Sequence, residues 1–136
     1  MKAFREAIES GDHEASFATL ADDVSFRSPA VFSPYEGKAA ASVILFAVNS
    51  VFEDFRYTRV VEVENYSVLV FETHIGEIHI EGADYLTHQD GKITDFRVMI
   101  RPLKGLQAVV ESMGKAIPGA MAQLGVSGDQ MKTKRS

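Results

Sequence analysis

The fold is decided by residues 66–88, which read YSVLVFETHIGEIHIEGADYLTH. On both sides of Gly76 apolar residues alternate with polar ones, a period of two that is typical of half-buried strands joined by a tight turn. If Gly76 takes the first position of a two-residue turn, Leu69 lies directly opposite Asp84. In that register the two strands agree on which face is apolar, and we therefore predict a β-hairpin.

Asp84 is a lone carboxylate on the apolar face of this hairpin, where its neighbours are Leu69, Phe71 and Leu86. An ionised carboxylate in such surroundings is costly, and the usual response is a raised pKa and a neutral side chain. Two interpretations stay open. Asp84 is either a neutral acid that donates a hydrogen bond to a ligand oxygen, or a structural carboxyl group bonded to nearby hydroxyls or amides.

Composition narrows the class of protein. A chain of 136 residues with 46% hydrophobic content predicts one globular domain, which we place at 1–123, followed by a glycine-rich, basic tail at 124–136 that we expect to be disordered. The net charge of −5 and the lack of a basic stripe argue against nucleic acid as a partner. Without cysteines or an apolar run near the ~18 residues of a membrane span, we expect a soluble cytoplasmic protein.

Secondary structure is predicted to change from helices to strands along the chain. Asp12 is the expected N-cap of the second of two short N-terminal helices. The predicted elements after it are a short strand in 24–29, an irregular loop to Gly37, a buried helix over 38–52, strands at 56–64, 66–75, 78–88 and 92–102, and a helix over 103–117. Helices followed by a meander of strands predict an α+β domain in which a curved antiparallel sheet wraps around a helix.

Several short motifs occur in a fixed order: SGD at 10–12, LADDVSFRSP at 20–29, YEG at 35–37, and GAD and DGKI before the last strand. In this order and spacing the chain resembles the nuclear transport factor 2-like superfamily, in particular its SnoaL-like and ketosteroid isomerase-like branches, over most of residues 4–117. The resemblance implies a cone-like, cystatin-like fold that encloses an apolar pocket, and a homodimer. It does not imply one activity, since activities differ widely within the superfamily.

The resemblance to ketosteroid isomerases implies three catalytic roles, and only one of the three corresponding residues has the side chain for its role. The tyrosine donor of those enzymes falls on Phe4, their catalytic base falls on Ser28, and their protonated acid falls on Asp84. Phe4 has no proton to donate, and Ser28 without a partnering base is a poor proton acceptor. We therefore do not expect steroid isomerase activity.

The resemblance to other branches also fails at the residues that carry their chemistry. Polyketide cyclases and epoxide hydrolases place an acid at what corresponds to Val98, and the hydrolases add an Arg-x-Asp pair on the strand that holds Leu69 and Phe71. All three positions are apolar in this chain. Either that chemistry is lost, or different residues perform it.

The candidate site combines Asp84 with the side chains that would line a pocket. Asp84 is the candidate catalytic residue, and the candidate ligand-binding residues are Phe4, Ser28, Tyr35, Phe46, Leu69, Phe71, Leu86, Phe96 and Val98. For the aromatic members a core role is favoured over a cofactor-binding role, although in a hollow cone the same side chains would also form the pocket wall. His74 and His79 face each other on the outer face, where a solvated or interface pair is favoured over a zinc site. We expect neither a metal nor a cofactor.

Two functional hypotheses follow. The first is a small-molecule-binding protein, or a cofactor-free enzyme of the isomerase, cyclase or hydrolase type, that acts on an apolar compound bearing oxygen. The second is a catalytically silent, dimeric interaction module whose pocket is filled by its own side chains. Pocket volume separates them, since a cavity of several hundred Å3 favours the first. In both, a second copy is expected to pair through the outer sheet face, which carries Tyr85, Met99 and Arg101.

Overall fold

A computed structural model describes residues 1–133 of the chain. The described part contains four α-helices, six strands and one short 3-10 helix. In chain order these are α1 (Lys2–Ser10), α2 (His13–Ala18), β1 (Leu20–Arg27), β2 (Tyr35–Glu36), α3 (Lys38–Val51), β3 (Glu53–Val63), β4 (Tyr66–Ile75), β5 (Ile78–Gln89), β6 (Lys92–Arg101), α4 (Leu103–Leu124) and the 3-10 helix Gly128–Met131.

The six strands form one curved sheet in the order β2-β1-β6-β5-β4-β3, so the predicted α+β class is confirmed. Neighbouring strands run antiparallel except β1 and β6, which are parallel. The predicted meander is antiparallel throughout, whereas β1, for which the sequence predicted no partner, joins the sheet beside β6 in the parallel direction. The two strands are not joined by a turn, because the long helix and the whole meander lie between them in the chain, and a local pattern carries no signal for such a pairing.

The β4–β5 hairpin has the predicted register. Ile75 pairs with Ile78 and Leu69 pairs with Asp84, while Gly76 adopts a φ of 58°, as the first position of such a turn requires. Burial alternates along both strands, and the apolar face is the inner one. The hairpin therefore fixes which side of the sheet Asp84 faces.

The core lies between the inner sheet face and the helices. α3 packs against β1 and α4, and α4 also crosses β5 and β6. Asp12 caps α2 as predicted, because its Oδ1 accepts a hydrogen bond from the Ala15 amide at 3.0 Å. The principal core cluster includes Phe4, Leu20, Leu69, Leu86, Ile93 and Phe96.

The predicted tail does not match the structure between residues 124 and 133. α4 continues through Pro118 to Leu124, and the 3-10 helix follows. Met131 packs against the core, and Thr133 forms a bridge with Tyr35. The proline removes one helical hydrogen bond, but burial of Ala120 against α3 extends the apolar stripe beyond it. Residues 134–136 of the expected disordered tail lie outside the described residues.

No helix within residues 1–133 combines the length and the apolar character that crossing a membrane requires.

Candidate functional site

An apolar cavity of about 270 Å3 lies between the inner sheet face and the helices. Its walls come from α1, α3, α4, all six strands, and the loop that joins β1 to β2. Most lining side chains are aliphatic or aromatic, and the polar ones are Ser28, Tyr35, Asn49, Tyr57 and Asp84. A concave apolar cavity with few polar groups is the usual form of a small-molecule site.

Asp84 reaches this cavity from the middle of β5 and is only 7% exposed. Burial raises the pKa of the Asp84 carboxyl from 3.8 to about 7, because the charged form loses its hydration. The hydrogen bond from Tyr57 acts in the opposite direction but is the smaller effect. The carboxyl group therefore exchanges its proton near neutral pH.

Tyr57 on β3 donates a hydrogen bond from its hydroxyl to Oδ2 of Asp84 at 2.8 Å. Burial and the adjacent carboxyl raise the pKa of Tyr57 well above 10, so the phenol keeps its proton and remains the donor. The other carboxyl oxygen, Oδ1, has no hydrogen-bond partner within residues 1–133. Every fully buried polar side-chain atom in the same part of the chain has a hydrogen-bond partner. Since Oδ1 has none, it is not fully buried, and we infer that it is accessible from the cavity.

Tyr57 was missed by the sequence-based prediction, which assigned no face to β3. In the structure Tyr57 pairs with Phe71, and the register of β3 shifts between Tyr57 and Arg59. The alternation of Phe55 and Tyr57 with the polar Arg56 and Thr58 was the available signal. It places both aromatic rings on one face.

The tyrosine is held by an aromatic wall on the inner sheet face. Phe71 lies 5.0 Å from Phe55 and 5.8 Å from Phe52 between ring centroids, and Phe55 meets Tyr57 edge to face at 4.9 Å. Gly82 makes room for this arrangement, because a Cβ at that position would lie 2.3 Å from the Phe71 ring. The glycine in the GAD motif therefore shapes the cavity rather than a turn.

Seven of the ten predicted site residues line the cavity: Asp84, Phe4, Ser28, Tyr35, Phe71, Phe96 and Val98. The Ser28 hydroxyl accepts hydrogen bonds from the amides of Ala30 and Val31 at 3.1 and 3.2 Å, so its lone pairs stabilise the loop. Phe4 is fully buried against Phe96.

The other three predicted residues lie outside the cavity lining. Leu69 and Leu86 do face inward, as predicted, but both are fully buried in the principal core cluster. Phe46 packs against His13 with ring centroids 4.6 Å apart, on a side of α3 that turns away from the cavity. The helical stripe on α3 was too wide to show which of its faces meets the cavity.

The outer-face histidines make separate contacts. His74 contacts Asp54 at 2.7 Å and the carbonyl of Gly76 at 2.9 Å, and the bond to Asp54 is the main cause of its raised pKa. Its ring lies 6.4 Å from that of His79. In the part of the chain that the structure describes, no three potential ligands are grouped to hold a metal ion.

Comparison with known proteins places these features in a family. No protein of curated function matches the sequence. The steroid delta-isomerase from Pseudomonas aeruginosa is 38% identical to this chain, with a TM-score of 0.81 over 86% of this chain and 88% of that protein. A protein with a cystatin-like fold from Silicibacter pomeroyi is 28% identical, with a TM-score of 0.83 over 90% of this chain and 89% of its own.

More distant similarity extends to the fold alone. A cystatin-like protein from Xanthomonas campestris is 22% identical, with a TM-score of 0.65 over 79% of this chain and 92% of its own.

The SnoaL-like domain family matches residues 1–96, which is most of the chain. The protein is therefore a member of the SnoaL-like domain family, with an NTF2-like fold related to that of the ketosteroid isomerases.

Proposed function

We propose that the protein binds a small apolar molecule bearing one oxygen atom, and that Asp84 hydrogen-bonds that oxygen inside the cavity. The observation that carries this proposal is the position of Asp84, a titratable carboxyl group that lines an apolar cavity of about 270 Å3 and whose Oδ1 is not bonded by Tyr57. That volume lies just below the range of roughly 300–1,000 Å3 common for ligand pockets. A monocyclic or fused bicyclic ligand fits a cavity of this volume.

The Tyr57–Asp84 pair determines which hydrogen bond the site offers. Because Tyr57 already donates to Oδ2, the acid proton of neutral Asp84 resides on Oδ1 and points into the cavity. The neutral acid therefore donates to a carbonyl oxygen. Above its pKa the same atom accepts a hydrogen bond, and a carbonyl ligand loses its donor.

A proton-transfer reaction is a further part of this proposal. A carboxyl group with a pKa of about 7 is well matched to exchange protons with a substrate at neutral pH. The relationship to the steroid delta-isomerase supports a cofactor-free reaction of this kind on an apolar carbonyl compound. In this reaction Asp84 would act as the single acid–base group.

Steroid isomerisation itself is not expected. That reaction uses a base together with separate oxyanion donors, whereas among the described lining residues Asp84 is the one carboxyl group and Tyr57 already donates to it. A missing general base alone lowers the rate by roughly 10² to 10⁴. Turnover of a steroid β,γ-enone at rates close to those of a dedicated isomerase would contradict this expectation.

The alternative function is a silent interaction module with a filled pocket. An open cavity of about 270 Å3 favours ligand binding over that alternative. Dimer formation is compatible with both functions, and we propose that a second copy pairs through the outer sheet face. Val61, Met99 and Tyr85 lie on that face, and the first two are 51% and 47% exposed.

The binding proposal is tested by calorimetric titration with 2-decalone, a neutral bicyclic ketone. Wild-type protein should bind it roughly tenfold more tightly at about pH 6 than at about pH 8, because the donor is lost on ionisation. Asp84→Asn is the matched control, since its amide donates at both pH values and binding should not vary. Absence of binding, or equal binding by the wild type at both pH values, would contradict the proposal.

A further inference from the structure

The loop between β1 and β2, residues 28–34, forms one side of the cavity mouth. Its first residues are held by the Ser28 hydroxyl, which accepts hydrogen bonds from the backbone amides of Ala30 and Val31. Its far end is held where Tyr35 pairs with Phe26. Two prolines, at positions 29 and 34, restrict the backbone near both ends. The loop is thus anchored at its two ends, with Phe32 between the anchors.

Phe32 is 91% exposed, the highest value among the large hydrophobic side chains of residues 1–133. The three residues before it, Pro29, Ala30 and Val31, all line the cavity. A fully hydrated phenylalanine beside an open apolar cavity is unfavourable, because burial of apolar area is the main driving force of packing. The ring therefore has an energetic reason to move whenever apolar surface becomes available at the mouth.

Exposed apolar side chains on α4 supply a place for the ring. On α4, Leu103 and Val110 are 69% and 46% exposed. A shallow groove runs between these residues and the β1–β2 loop, and it shares Pro29, Ala30 and Val110 with the cavity. The groove is therefore continuous with the cavity, and its loop side ends at Ala30, two residues before Phe32.

We propose that the β1–β2 loop is a lid, and that Phe32 moves into this groove to close the cavity over a bound ligand. The proposal rests on the proposed function, because the ligand supplies the apolar surface that completes the packing of the ring. Closure removes both the ring and the ligand from water. It also lowers the rate at which the ligand leaves, without contributing to the first encounter.

The chain contains no tryptophan, so Phe32→Trp introduces a single indole reporter at the tip of the lid. High exposure of Phe32 makes this substitution compatible with folding. With 2-decalone as the ligand, the emission of the indole should shift to shorter wavelength and its quenching by acrylamide should fall severalfold. Glu6→Trp is the control, because Glu6 on α1 is 61% exposed and lies outside both the cavity lining and the outer sheet face.

A second variant measures the contribution of the lid to ligand retention. Phe32→Ala should raise the dissociation rate of 2-decalone by roughly tenfold, the size expected when part of one phenylalanine's burial is lost. The association rate should change little. This variant also separates closure from a direct effect of the introduced indole ring.

Each outcome decides between the lid and its alternatives. Binding of 2-decalone with unchanged accessibility of the indole in Phe32→Trp would overturn the lid and leave the proposed function standing. Failure of the ketone to bind would overturn both. Protection of the indole without ligand, growing with protein concentration, would assign this surface to contact between copies and would also overturn the lid.

Discussion

At the scale of single residues, the two oxygens of the Asp84 carboxyl group have different surroundings. Tyr57 bonds Oδ2 of Asp84, and Oδ1 is left for a ligand. The carboxyl group was predicted from the sequence as a lone acid on an apolar face. Its raised pKa follows from burial without a cation, and the same burial makes Asp84 unfavourable for folding once it ionises.

The stability of Asp84→Asn should therefore depend on pH. Because the folded pKa of about 7 exceeds the unfolded value of 3.8, the wild type loses stability as pH rises through this interval and loses no more above it. The variant should match the wild type near pH 4 and exceed its free energy of unfolding at about pH 8 by up to roughly 4 kcal/mol. Urea unfolding at several pH values measures this. A loss of stability confined to high pH would instead indicate an ionised, well-paired carboxylate.

At the scale of elements, the aromatic wall of the cavity depends on the close contact between β4 and β5 at Gly82. A side chain at this position would meet Phe71 at 2.3 Å and the carbonyl of Met99 at 2.6 Å. The carbonyl belongs to the backbone and cannot move away as a flexible side chain would. Phe71 would have to shift, and it contacts the rings of Tyr57 and Phe55.

Gly82→Ala should accordingly destabilise the protein by roughly 1–3 kcal/mol, as overpacking usually does. Gly119→Ala is the matched control, because no atom lies within 4 Å of a Cβ at that position in α4. There alanine should stabilise the helix by roughly 0.5–1 kcal/mol. Chemical unfolding of both variants checks this, and equal stabilities of Gly82→Ala and wild type would contradict the role given to Gly82.

The elements also show which structural features local sequence patterns can predict. The β4–β5 register was predictable because a glycine turn ties the two strands together locally. The hydrogen bond from Tyr57 to Asp84 was not predictable. The alternation along β3 holds up to Tyr57, but the register with β4 shifts between Tyr57 and Arg59, so a regular ladder does not give the position of Tyr57 relative to Asp84. The end of α4 was missed because Pro118 usually ends a helix, whereas here the packing of Ala120 against α3 outweighs that preference.

At the scale of the whole molecule, the sheet has one covered and one uncovered face. The inner face meets the helices, while the outer face presents valines on β3 and β4, Tyr85 and Met99. Two ion pairs, Arg56–Glu72 and Arg101–Glu81, each at 3.2 Å, lie on that same face. An apolar stripe bordered by charges is the composition expected of a surface that pairs with a second copy.

Light scattering at micromolar concentration should accordingly give about twice the chain mass of 14.9 kDa. Met99→Glu should shift the mass toward that of a monomer, because it places a charge in the apolar stripe. Leu103→Glu is the control, since Leu103 is also exposed but lies on α4 at the cavity mouth. A monomeric wild type, or dissociation by the control alone, would contradict pairing through the sheet.

The central claim, that a neutral Asp84 donates a hydrogen bond into the cavity, is tested most directly by carboxyl-carbon NMR titration of Asp84. We expect a midpoint at about pH 7 in the wild type, a higher midpoint in Tyr57→Phe, and a higher midpoint in the wild type when 2-decalone is bound. The tyrosine variant loses the bond that favours the charged form, and the ketone favours the protonated one. A wild-type midpoint near 3.8, unmoved by the ketone, would contradict the claim.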